Sequence, residues 1–346
     1  MAEVAAPPRI PLSVLDLSPV PSGSTSAQAL RNTIDLAQAA ERWGYERYWL
    51  AEHHNTPGLA SSSPEVMIGQ VAAATSRIRV GSGGIMLPNH AALRIAETFR
   101  VLEALHPGRI DLGIGRAPGT DGVTAVALRR SAQALGADDF PQLLGELLAY
   151  GGEGFPDGHP FASVHAIPND VPLPPIWILG SSEYGAQVAA ALGVGFAFAR
   201  HLNPRGAEPI MRAYREDFRP SPASPEPTAI LTVSAIAAET PERADELATS
   251  MGLGLVRMRQ GRPTPLPSPE EAAAHRYTPH EQDQIRRYRR AQVLGDPAGV
   301  GDEILELVER TGADEVMVMT AVHDHAERLR SYELLADALS PAAVTT

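Results

Sequence analysis

Ile78-Arg79-Val80-Gly81-Ser82-Gly83-Gly84-Ile85-Met86-Leu87 joins two β-rich apolar runs through a cluster of glycines. The runs suit a strand and the glycines do not. Glycine weakens a strand interior and marks a bulge or a close backbone approach. Two further clusters have the same setting: Ala51-Glu52-His53-His54-Asn55 and Gly113-Ile114-Gly115-Arg116. Each is preceded by a short apolar run and followed by helical periodicity. In a parallel α/β barrel all strand carboxyl ends open on one face, so the three clusters would converge on one site.

Working outward, strands are expected at Ile10–Val20, Arg47–Glu52, Ile78–Leu87, Arg109–Ile114, Pro175–Leu179, Gly195–Ala199, Ala229–Ala237 and Glu315–Met319. Helical stretches separate them. In Ser26–Trp43, for example, Leu30, Ile34, Ala37, Ala40 and Trp43 form one stripe at three- and four-residue spacing. Eight such β/α units predict a single (β/α)8 barrel over residues 1–346, with an ordered core over about 10–340. Gly151–Asn169, after the fourth strand, reads as an excursion in the form of a hairpin. Gly252–Pro279, between the seventh and eighth strands, is proline-rich with little periodicity and reads as a long loop, either a lid or an unstructured insertion.

Composition narrows the function. Apolar residues make up 44% and charged residues 20%, which suits a soluble domain with a sizeable core. The net charge of −12 and the lack of any long Lys/Arg block argue against nucleic-acid or anionic-membrane partners. Arg286-Arg287 and Arg289-Arg290, diluted by Glu281 and Asp283, read as a solvated helix face. With no cysteine, disulfides and thiolate chemistry are excluded. No signal-like segment or membrane-length apolar run is found, so the expected location is the cytoplasm.

Among the candidate residues, His53 closes the second strand and suits proton transfer near neutral pH. A flat ligand against a side-chain-free surface, or a bulge that bends the strand, would each explain Gly81, Gly83 and Gly84. The Gly113–Gly119 run has Pro118 where a dinucleotide fingerprint needs glycine, so a Rossmann site is rejected. Arg116 can hold a phosphate bidentately. Gly180-Ser181-Ser182 opens a helix whose free N–H groups make a second element of an anion site. His323-Asp324-His325 is a weak metal motif, Asp324 being more simply a helix cap, and no metal is expected.

As a set these segments resemble the bacterial luciferase-like, flavin-dependent monooxygenase family. The most specific parts are Trp49-Leu50-Ala51-Glu52-His53-His54, the stretch from Val80 to Pro88 and the stretch from Gly108 to Arg116; Leu294-Gly295-Asp296-Pro297 resembles a turn before a late helix. The resemblance implies a barrel that binds reduced FMN, which reacts with O2 to give a C4a-(hydro)peroxyflavin. It places His53 at the catalytic position, Gly83-Gly84 at a non-prolyl cis peptide against the flavin ring, and Arg116 and Ser182 at the phosphate, with Gly180, Ser181 and Gly185 nearby. It implies a small organic substrate, a separate NAD(P)H:flavin reductase and a homodimer or homotetramer. Gly115 stands where luciferase has cysteine, and Gly83-Gly84 where it has alanines. A deazaflavin (F420)-dependent oxidoreductase on the same barrel and a non-catalytic flavin-binding protein are the alternatives. A metal-dependent hydrolase is disfavoured because Leu15-Asp16-Leu17 lacks the H-x-H expected on a first strand.

Overall fold

A computed structural model describes residues 10–129, 139–152 and 154–339. Strands β1 (Leu12–Asp16), β2 (Arg47–Leu50), β3 (Arg79–Ser82), β5 (Ile110–Gly115), β6 (Ile176–Gly180), β7 (Gly195–Ala199), β8 (Ala229–Ala237) and β10 (Glu315–Met319) form a closed parallel barrel. β10 closes it, pairing with β1 on one side and β8 on the other. All eight expected strands are present, and most are buried along their length, as expected where helices cover a parallel sheet.

Two short strands are additions. β4 (Ile85–Met86) continues the expected third strand after a break, and β9 (Gln292–Gly295) pairs with Ser234–Ala237 where β8 runs on past β10. The break is a bulge. Gly81 stands opposite Asp111 and Ile85 opposite Ile114, so four residues advance on one strand against three on the other. The Gly83-Gly84 peptide inside it is cis.

The barrel interior is filled in layers. At its amino end Arg47 bridges Asp111 and Glu315, both at 2.9 Å, and Arg79 reaches Asp111 at 2.5 Å. Above these ion pairs, Leu15, Trp49, Trp177, Ala197, Ile230 and Met317 form an apolar plug, the two tryptophans meeting edge to face at 5.6 Å. Asp16, at the end of β1, is fully buried and accepts from Arg328 at 2.6 Å, Thr33 at 2.7 Å and Tyr48 at 2.5 Å. Those bonds commit its carboxylate to joining the first and last helices to the barrel. Inside the ring of strands, room for a ligand is therefore left at the carboxyl end.

Two expectations are corrected. Residues 252–279 are not a structureless loop. They belong to a run that includes helices Thr249–Arg259, Pro269–Ala274 and Pro279–Arg289, the last two opened by capping boxes at Ser268/Glu271 and Thr278/Glu281. The strap between them docks on the rim through Leu266, whose N–H donates to Val20 and whose carbonyl accepts from Ser22, both at 2.8 Å. The excursion after the fourth expected strand has no paired strands among its described residues, so it is not a hairpin. Its turns pack Phe155, His159 and Phe161 together, and buried Arg100 donates to the carbonyls of Tyr150 and Ala166. The helix expected over Val123–Leu135 is seen as Gly122–Arg129, and the rest lies outside the described residues.

Candidate active site

The chain leaves β2 at Leu50 and passes over the rim as Ala51-Glu52-His53-His54. Glu52 turns into the protein, is fully buried and gathers four donors. The Met86 N–H donates at 2.8 Å, His54 Nε2 lies at 2.8 Å, His90 Nε2 at 3.0 Å and Asn89 Nδ2 at 3.4 Å. Burial alone would raise its pKa, but the His90 bond and charge, with His54 and the Met86 amide, outweigh that and hold the carboxyl below its usual range. His90, in return, lies above the usual imidazole value because Glu52 overcomes its desolvation. Glu52 thus clamps β4 immediately after the bulge.

His53 faces the other way. Its Nδ1 is buried without a hydrogen-bond partner, and burial pushes its pKa below 6.5, the Glu52 charge opposing only in part. The imidazole is neutral at pH 7, the form a proton acceptor requires. A proton on His53 would be felt by His201, which lies just beyond β7 on the opposite side of the ring of strands. His201 is more strongly desolvated, its pKa held down at about 4, and its Nδ1 is likewise unpartnered. Sequence reading missed His201, a lone histidine in a turn.

On the neighbouring arc, Gly180 ends β6 and the helix Glu183–Leu192 begins at Ser182. Ser182 occupies the N-cap in extended backbone, yet its side chain makes no capping bond. The first-turn N–H groups therefore keep their capacity for an anion. Arg116, just past β5, lies over the ring of Tyr184 in that first turn, its guanidinium carbon 4.3 Å from the ring centroid. Asn203 fixes the approach by donating to the Ser181 carbonyl at 2.8 Å. Gly185 is buried one turn in, where a Cβ would stand 3.4 Å from Phe196 and 3.5 Å from Gly180 Cα. It lets helix and strand meet closely.

The structure separates the two explanations of the glycines. A Cβ on Gly81 would come within 2.6 Å of the Asp111 carbonyl, one on Gly83 within 2.5 Å of Leu15, and one on Gly84 within 2.8 Å of the Gly113 carbonyl. Backbone crowding around the bulge is enough to require Gly81 and Gly84, whereas at Gly83 the closest atom is the flexible tip of Leu15, which can give way. The histidine pair at the last helix divides between separate partners: His323 bonds Ser22 and His325 bonds Asp35, while Asp324 caps the helix through the Glu327 N–H. No three His, Asp or Glu among the described residues are arranged to hold a metal ion.

The family described as luciferase-like monooxygenase matches residues 10–315. The chain belongs to that family. Among its relatives, the Bacillus subtilis (strain 168) protein YvbT is 48% identical over 94% of this chain and 96% of its own. An N-acetyl-S-alkylcysteine monooxygenase of the same organism is 36% identical, covering 96% and 99%. The solved structure of apo-MsnO8 superposes with a TM-score of 0.86 at 39% identity, covering 96% and 99%. More distant solved structures share the barrel: an FMN complex of the oxygenating constituent of 3,6-diketocamphane monooxygenase from Pseudomonas putida (TM-score 0.69, 17% identity, covering 98% and 100%) and an F420-dependent secondary alcohol dehydrogenase (TM-score 0.64, 12% identity, covering 96% and 100%). The luciferase-like barrel therefore serves FMN and F420 enzymes. No helix among the described residues is long and apolar enough to cross a membrane.

Proposed function

We propose that this chain is a flavin-dependent monooxygenase that takes reduced FMN from a separate NAD(P)H:flavin reductase and uses O2 to oxidise a small organic substrate. The observation that carries the cofactor reading is the uncapped helix at Ser182 with Arg116 laid across its first turn at Tyr184. Arg116, the Ser181 and Ser182 hydroxyls and the free N–H groups of that turn would hold the phosphate. The side-chain-free turn at Gly83-Gly84 would lie against the ring system. When bound, reduced flavin would supply two electrons to O2, one oxygen atom entering the substrate and the other leaving as water. The relative named for N-acetyl-S-alkylcysteine supports a small substrate with an oxidisable heteroatom or carbonyl.

The protein's own part is positional and protolytic. His53 would accept or hold a proton at Nε2, since Nδ1 is closed off from solvent. The apolar plug beneath the mouth and the rim strap at Leu266 would limit water around the reacting atoms.

Anaerobic titration with FMNH2 and, separately, F420H2 tests the cofactor. Binding of FMNH2 that weakens roughly tenfold or more in Arg116→Ala is expected, the loss appropriate to a charge-assisted phosphate contact. Binding of F420H2 with none of FMNH2 would overturn the reading. For the chemistry, thioether and ketone panels are incubated with reductase and 18O-labelled O2. Label should enter the product with wild type, and His53→Ala should still bind FMNH2 but lose most turnover. Full turnover in that variant refutes the role given to His53.

A further inference from the structure

The basic tetrad near Arg286–Arg290 reads from sequence as a solvated helix face, and Arg286, Arg287 and Arg290 are exposed as that reading expects. Arg287 and Arg290 line a concavity of about 560 Å3 on the flank of the barrel. Its other walls come from the start of helix Ala207–Glu216 and the end of helix Pro297–Thr311, which add Arg205 and Arg310. That volume falls in the range of small-molecule sites. Four arginines face a single carboxylate, Glu208, in a chain whose net charge is −12. Random placement on an acidic surface would mix the signs.

The carboxylate is already engaged. Glu208 pairs with Arg212 at 2.9 Å and with Arg310 at 3.5 Å, and Arg287 is tied to Asp283 of its own helix at 2.5 Å. The side chains of Arg205 and Arg290 make no ion pair or hydrogen bond among the described residues. Two guanidiniums without protein partners therefore stand at one concavity, each a planar fork suited to a phosphate. The lining also includes the exposed Pro204 and Pro209, whereas Leu307 is almost wholly buried. Exposed apolar surface beside cationic side chains suits an anion with a flat or apolar body. A polymer such as nucleic acid is opposed by the chain's overall charge.

We propose that this flank concavity is a binding site for a nucleoside diphosphate-like ligand, its phosphates held by Arg205 and Arg290 and its base resting on Pro204 and Pro209. The site is separate from the phosphate cradle at Ser182 and does not depend on the cofactor reading. Because the arginines are exposed, affinity is modest and falls as salt is raised.

The test is isothermal titration of the full-length protein at low ionic strength with ADP, pyrophosphate and adenosine. Three proteins are compared: wild type, Arg116→Ser, and the double variant Arg205→Ser/Arg290→Ser. ADP and pyrophosphate should bind wild type and Arg116→Ser alike, adenosine much more weakly, and the double variant should weaken ADP by about tenfold or more. The proposal is overturned if neither anion binds or if adenosine binds as tightly as ADP. It also fails if the double variant is unchanged, or if Arg116→Ser abolishes binding, which would put the anion at the barrel mouth. The substituted arginines have no partners in the fold, so the double variant should melt with wild type.

Discussion

Replacing Glu52 with glutamine keeps the shape of the side chain and removes only its charge. In the native protein the carboxylate accepts from the Met86 N–H and lies against His54 and His90, all within 3.0 Å. Hydrogen bonds to a charged group contribute about 1.5–3 kcal/mol and neutral ones about 0.5–1.5 kcal/mol, so three such bonds lose about 3 kcal/mol in all. The histidines are only 16% and 25% exposed in their side chains, so solvent screening discounts this little. The amide oxygen keeps the Met86 bond, and its NH2 faces ring nitrogens that can turn into acceptors. For a chain of this length the loss lowers Tm by about 4 °C. The pH dependence is the sharper signature. Glu52 is depressed, so its contribution is present above about 4.5 and lost as pH falls through its folded value. His90 is raised, so its contribution is full below 6.5 and is lost as pH rises through its folded value. Desolvated His53 and His201 have the opposite slope in both proteins, so calorimetry at pH 6 and pH 8 should show the advantage of wild type over the Glu52→Gln variant shrinking at pH 8. A variant with wild-type Tm at pH 6, or a difference from wild type that is equal at both pH values, refutes the clamp.

Gly113→Ala places a Cβ 2.0 Å from the Ser82 carbonyl and 2.9 Å from Leu179, and chemical denaturation should show a loss of about 3 kcal/mol or more. Gly145→Ala, exposed in a helix with nothing within 4 Å of the new methyl, should instead gain about 0.5–1 kcal/mol. If the two behave alike, crowding at the bulge is not what selects glycine. Arg328→Met leaves the Asp16 carboxylate, fully buried and 2.6 Å away, without its cation; equilibrium unfolding should fall by about 3–5 kcal/mol, and a smaller loss would mean Thr33 and Tyr48 suffice. If His53 serves as proton acceptor, the acid limb of kcat/KM lies below pH 6.5, and a limb above 6.5 would assign that role elsewhere.

The eight barrel strands were legible because each is a short buried run between amphipathic helices, and barrel topology then brings their carboxyl ends together without any knowledge of contacts. That is why His53, Arg116 and Ser182 could be placed on one face in advance. Partnership across strands was not legible. Glu52 and His90 are 38 residues apart, and they meet only because one extra residue in the bulge carries β4 under the β2 rim. His201 has no local pattern; its character comes from the desolvation it meets beyond β7. The insertion before β9 did carry a signal, since Ser268/Glu271 and Thr278/Glu281 have capping-box spacing, but its helices have too weak an apolar stripe to announce themselves. The glycine run is the deepest case. The reason for Gly81 and Gly84 lies in an atom of the neighbouring strand, at Asp111 or Gly113, and no inspection of residues 78–87 alone can find it. A glycine cluster at a strand end is thus as well explained by two backbones meeting as by a ligand. The flavin reading accordingly rests on the helix at Ser182 and on Arg116, not on Gly83 and Gly84.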